Sequence, residues 1–398
     1  MKQPVALAVA MGIGVALGAA GSAHADVIRD DQWHLRYLKV AEANQKSRGD
    51  GTTVAIVDTG VDRNHPDLTG AILDPVFVTE SPGATGVDQS GHGTALAGLV
   101  AGQGHKDERT GDEHGAGVIG IAPGARILPV VIGSPASPDP TGAVTPDQLA
   151  DGIDLAVSRG IKIIVVGYSV EGSERLMRAV RDAQESDAIV IAADGNQPGQ
   201  EFEPFPAGYD GVLAAVPLTR AGDVRVQSTS GRRLGFGVPG DQIMTTNSGG
   251  GYRVDDGNAS PGLLAGAVAL LRSAYPALKA PDIVRRMTLT AADAGEKGLD
   301  RDYGQGRLDL VPALTKSLPV PAPSASARPS GQPSAGASAI AQPAPAEPRP
   351  PRSREPYGWL LGLPLIAVLG VLVGNAVRAE RQIRVSSTDG IDSERASS

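Results

Sequence analysis

Short apolar, β-branched runs recur through the middle of the chain, at 53–57, 126–131, 161–166, 188–192 and 212–217. Runs of this length without polar alternation mark strands buried on both faces. Between them lie stretches of helical period, at 148–159 behind Thr145-Pro146-Asp147 and at 174–185. Strands alternating with helices predict an α/β fold, a mainly parallel sheet with helices on both faces, three layers in all. One further stretch, Leu263-Leu264-Ala265-Gly266-Ala267-Val268-Ala269-Leu270-Leu271, is apolar on every side and small at its start. A helix without a polar face belongs in the centre of a domain. This one is expected to run to Ser273 and stop near Pro276. The pattern shows no internal repeat.

The ends of the chain read differently. Met1-Lys2 is followed by an apolar stretch over 5–20 and then Ala23-His24-Ala25, with small residues at the two positions a signal peptidase reads. Residues 1–25 are therefore expected to be a secretory signal peptide, with the mature chain starting at Asp26. Residues 357–377 form an uncharged apolar run long enough for one transmembrane helix, with Tyr357 and Trp359 at one end. Arginines flank it on both sides, so charge does not orient it. The signal peptide does, leaving 378–398 as a cytoplasmic tail. Residues 318–356, rich in Pro, Ala and Ser, suit an extended linker. The globular part is thus 26–317, outside the cell, on a single-pass membrane protein. The formal net charge of −8 argues against nucleic-acid binding, and the absence of cysteine excludes disulfides and thiolate metal sites. The residues imply no cofactor and no metal.

Two segments carry the chemistry. Val54-Ala55-Ile56-Val57-Asp58-Thr59-Gly60-Val61-Asp62 delivers a carboxylate to the end of a buried strand, where α/β folds build their sites. Ser90-Gly91-His92-Gly93-Thr94-Ala95 places a histidine between glycines at the start of a small-residue helix. Taken singly, an Asp-Thr-Gly turn or a lone histidine is commonplace. The full strings, with Asn64-His65-Pro66-Asp67-Leu68 after the first, resemble the acid and histidine motifs of the subtilisin-like serine proteases. That resemblance implies a subtilisin-like three-layer fold in which Asp58 orients the imidazole of His92 and His92 serves as general base. The helix N-terminus is expected to keep that imidazole neutral.

Further segments follow the family's order. Gly120-Ile121-Ala122-Pro123-Gly124-Ala125 and Pro204-Phe205-Pro206-Ala207 match structural segments. Gly167-Tyr168-Ser169-Val170-Glu171-Gly172 lies where the family pairs substrate with an exposed strand, although Gly167 stands where Asn is usual. Ala192-Ala193-Asp194-Gly195-Asn196 resembles the oxyanion segment, which implies that Asn196 donates to the developing alkoxide. Such a donor lowers the barrier by about 3–4 kcal/mol. Asp194 departs from the family's small residue, and an inward carboxylate would oppose the anion.

The nucleophile is where the resemblance fails. The family reads Gly-Thr-Ser-x-Ala-x-Pro-x-Val-x-Gly, with serine eight residues before the helix glycine. Counting back from Gly266 reaches Asn258; aligning from Gly251-Tyr252 with Gly257 as the motif glycine puts Ala259 in the slot. The nearest hydroxyl is Ser260. A two-residue offset on a helix turns a side chain by roughly 200° and moves it about 3 Å, away from the histidine. Pro261 suits the first helical position, which would make Ser260 the N-cap. Geometry therefore favours a structural Ser260 over a nucleophilic one.

With Asp31-Gln32-Trp33-His34-Leu35-Arg36-Tyr37-Leu38 leading into Ser47-Arg48-Gly49-Asp50-Gly51, and with the signal peptide, linker and membrane helix, the whole chain looks like the mycosins. These are membrane-anchored subtilisin-like proteases associated with type VII secretion. The resemblance implies a polypeptide substrate or secretion-complex partners. Two functions stay open: an endopeptidase using Asp58, His92 and Ser260 with Asn196, or an inactive pseudoprotease kept as a binding or scaffolding domain.

Overall fold

The computed structural model describes residues 27–78, 86–108, 110–132, 144–194, 204–225 and 234–318, all within one compact unit that spans Met1–Ser324. The expected signal peptide, most of the linker, the apolar run 357–377, the tail and Asn196 lie outside the described residues. Among the described residues no helix is long and apolar enough to cross a membrane.

Three short helices, α1 (Val27–Asp31), α2 (Trp33–Tyr37) and α3 (Val40–Asn44), precede strand β1 (Thr53–Asp58). Then follow β2 (Val76–Phe77), α4 (His92–Ala101), β3 (Gln103–His105), β4 (Ala116–Ile119), β5 (Arg126–Val131), α5 (Pro146–Ser158), β6 (Ile163–Val166) and α6 (Glu174–Glu185). The rest comprises β7 (Ile189–Ala193), β8 (Leu213–Leu218), β9 (Gly235–Pro239), β10 (Ile243–Asn247), β11 (Gly251–Asp255), α7 (Ser260–Ala274), α8 (Ala280–Thr290) and α9 (Leu310–Thr315).

Seven strands form one sheet in the order β2-β5-β1-β6-β7-β8-β9, and every pairing in it is parallel. Among the described residues, β3–β4 and β10–β11 form two small antiparallel ribbons, and a few isolated antiparallel bridges, such as Leu218 with Val224 and Phe236 with Gly304, tie loops to the sheet. Alternation of side chains across the pleat sorts the apolar runs into two cores. Val54, Ile56, Ile163, Val165 and Ile191 face the core that holds α4 and α7. Ala55, Val57, Ile164, Val166 and Val190 face the one covered by α5 and α6. Both faces are buried, so the strands read as continuous apolar runs rather than alternating ones.

Helix α5 starts at Pro146, two residues before the sequence pattern suggested. Thr145 accepts from Gln148 N at 3.2 Å, and the Gln148 side chain accepts from Thr145 N at 2.9 Å. Pro146 at the first position needs no partner for its missing N–H. The all-apolar helix α7 is buried from Ser260 to Leu271, longer than the stretch expected. It packs closely on its neighbours through small residues: a Cβ on Gly262 would come within 3.0 Å of Leu96 O on α4, and one on Gly266 within 2.5 Å of the Ile121 side chain in the segment after β4. That close approach of two helices sets the position of the residues at their N-termini.

Candidate active site

Asp58 ends β1 at the carboxyl edge of the sheet and is 1 % exposed. Its Oδ1 accepts from Thr59 N at 2.7 Å. Its Oδ2 accepts from His92 Nδ1 at 2.8 Å, across 34 positions of sequence. His92 is the first residue of α4, after Gly91 in the left-handed region at φ 72°. Gly93 must be glycine, because a Cβ there would overlap Gly60 O and crowd the Asp58 side chain. At Gly167 a Cβ would overlap Asp58 Oδ2, so a side chain there would have to displace the carboxylate.

The start of α4 is held by a residue that sequence reasoning passed over. Asp88, 1 % exposed, accepts from Ser90 N, Ser90 Oγ and Gly91 N with Oδ1, and from Thr94 N and Thr94 Oγ1 with Oδ2, all between 2.8 and 3.1 Å. It satisfies helix donors that would otherwise be orphaned, and so fixes where His92 stands. From β10, Thr245 and Thr246 donate their hydroxyls to the carbonyls of Ala95 and Thr94. Tyr168 completes the surround: its ring lies 6.0 Å from that of His92, and its hydroxyl bonds the Thr59 and Ser90 side chains. Burial and the charge of Asp58 push the Tyr168 hydroxyl up to about 12.

The surroundings of the ring pull against the expected neutral imidazole. Burial alone would lower the His92 pKa, but Asp58, by charge and hydrogen bond, Asp255 by charge, and the Asn258 carbonyl raise it to about 9. Charge at close range outweighs the helix end, whose effective charge is only about half a unit. These groups favour the protonated imidazole.

The other imidazole nitrogen points at the segment where the family keeps its serine. His92 Nε2 donates to the backbone carbonyl of Asn258 at 3.3 Å. Ala259 is the residue flanking α7, and Ser260 is its first helical residue, not its N-cap. A hydroxyl inside the first turn cannot reach forward to the free N–H groups. Ser260 Oγ instead donates back to Gly257 O at 2.7 Å, and the side chain is 1 % exposed. The turn leading into α7 is closed by Asp255, whose Oδ1 takes Gly257 N at 2.9 Å and Ala259 N at 2.8 Å. Asp255 escaped the sequence analysis because an acidic residue in a turn carries no signal until its partners are known. Asp194, at the end of β7, is buried.

A parallel sheet that brings a strand-end aspartate to a helix-start histidine, with a buried helix beside both, is the arrangement of a serine-hydrolase α/β fold. The subtilase family model, Peptidase_S8, matches residues 49–306, and the chain belongs to that family. It is 32 % identical over 333 residues to fervidolysin of Fervidobacterium pennivorans, a match covering 76 % of this chain but only 46 % of that protein. It is 31 % identical over 341 residues to Mycosin-3 of Mycobacterium tuberculosis, covering 71 % of each. Among solved structures, the MycP3 protease from the type VII (ESX-3) secretion system is 27 % identical with a TM-score of 0.59, over 74 % of this chain and 89 % of that one. MycP1 with its N-terminal propeptide removed is similar in fold, at 23 % identity and a TM-score of 0.59, over 72 % and 99 %.

Proposed function

We propose that this chain is a mycosin-type subtilase that has given up proteolysis and serves as a polypeptide-binding component of a type VII secretion assembly. Its domain lies outside the cell, held by a single membrane helix over 357–377. The observation that carries the reading is the partner of His92 Nε2. A subtilase needs a hydroxyl there, and this chain offers the Asn258 carbonyl at 3.3 Å. A backbone carbonyl cannot be deprotonated into a nucleophile, and the Ser260 hydroxyl is committed to Gly257. Likeness to Mycosin-3 and to the MycP3 protease supports the secretion context.

The competing reading, an active endopeptidase with Asp58, His92 and Ser260 and with Asn196 as oxyanion donor, is favoured by the intact 2.8 Å acid–histidine contact. A fluorophosphonate probe separates the two. The proposal expects no labelling of the wild type and labelling of Asn258→Ser or Ala259→Ser. Stoichiometric modification of Ser260, lost with peptide cleavage in Ser260→Ala, would overturn it.

A further inference from the structure

Asp255 ends β11 and is 2 % exposed, yet its two oxygens are treated differently. Oδ1 is fully engaged by Gly257 N and Ala259 N, the two donors that close the turn leading into α7. Oδ2 has no hydrogen-bond partner; its nearest cation is Arg253 Nη2, at 3.9 Å. A buried carboxylate oxygen left without a donor is costly. A capping role alone could be filled by asparagine or serine without that cost.

We propose that Asp255 is a positioning residue of this cleft. One of its oxygens pins the 256–259 turn so that the Asn258 carbonyl faces His92, and the other keeps a negative charge beside the imidazole. Both effects act on the same ring. The turn supplies the acceptor for Nε2–H, and the charge stabilises the cation that donates to it. His92 is thereby held between two carboxylates, Asp58 on its Nδ1 side and Asp255 on the side of the turn, as a hydrogen-bond donor rather than a base.

Among the described residues, few titratable and charged groups surround His92. They are Asp58 from β1, Tyr168 from the segment after β6, Asp255 from β11, and Arg253, whose Nη1 reaches Ser90 O at 3.2 Å. The preceding turn adds Asp88, which is saturated by donors from its own segment. From β10, Thr245 and Thr246 bring only hydroxyls, and α7 turns apolar side chains toward α4. Asp255 is thus the second anion acting on the ring, and its removal has a readable consequence.

This inference rests on Asp58 and His92 being the working pair of the cleft, but its test does not depend on whether any substrate is cut. The full-length chain carries six histidines and can be labelled at histidine Cε1, with the His92 resonance assigned through His92→Gln. Asp255→Asn keeps an oxygen for the turn and removes the charge. The His92 titration midpoint is expected to fall by about one unit, with little change in Tm. An unchanged midpoint with a lowered Tm would reduce Asp255 to a structural cap and overturn the proposal. Arg253→Gln removes the cation opposite Oδ2 and provides an arm of opposite sign on a half-exposed residue. Its His92 midpoint should rise, and a fall or no change would also overturn the proposal. Fluorophosphonate labelling reports separately on the proteolysis question.

Discussion

Gly167 and Asp58 occupy one space: the Asp58 carboxylate lies where a Gly167 side chain would begin, and His92 Nδ1 stands 3.2 Å from the same point. A side chain at position 167 is therefore coupled to the placement of the acid–histidine pair. Gly167→Ala is expected to destabilise the fold by about 1–3 kcal/mol through overpacking and to break the His92–Asp58 hydrogen bond. Thermal unfolding and the His92 NMR resonance check the two effects, and a native His92 signal in the variant would contradict the coupling.

His92 links stability to alkaline pH. Its folded-state pKa, about 9, lies above the unfolded value of 6.5. The stabilisation is therefore fully present below 6.5 and is lost as pH rises through about 9. The loss is on the order of 3 kcal/mol. Urea unfolding at pH 6 and pH 10 should show this loss in the wild type and a smaller one in His92→Gln.

His34 links stability to acid. It is fully buried in α2, neither ring nitrogen has a hydrogen-bond partner, and burial lowers its pKa to about 3. The folded state excludes a proton that the unfolded state binds. Stability is thus complete above 6.5 and falls as the pH drops toward 3, by about 1.4 kcal/mol per unit. His34→Leu should flatten this acid limb, as read by denaturant midpoints between pH 4 and pH 7. An equally steep limb in the variant would assign the acid sensitivity elsewhere.

Ser260→Ala removes a buried hydroxyl and leaves the Gly257 carbonyl without that donor. The expected cost is about 1 kcal/mol, seen as a small drop in Tm. Gly257 O keeps the longer bond from Ser260 N at 3.3 Å, which limits the loss.

The proposed tether has its own test. Truncation after residue 356 should release the protein from the membrane fraction into the medium with the domain folded. Retention of the truncated chain on washed membranes would count against the helix at 357–377 as the anchor.

The sequence by itself determined the layered architecture. The apolar runs at 126–131, 161–166 and 188–192 hold strands because a strand buried on both faces needs apolar side chains on both, whatever its neighbours. The same local logic placed Asp58 at a strand end and His92 at a helix start, each within a motif long enough to be recognised. It did not find β9, β10 or β11, whose glycines, threonines and charged residues depart from that apolar pattern. Nor did it find the cap made by Asp88, the Tyr168 contact to His92, or Asp255. Each of these depends on groups far apart in sequence meeting in space. Only the tertiary structure decided the charge of His92 and the direction of the Ser260 hydroxyl. Protonation is set by the carboxylates that packing brings to the ring, and a hydroxyl turns to whichever acceptor the fold leaves within reach.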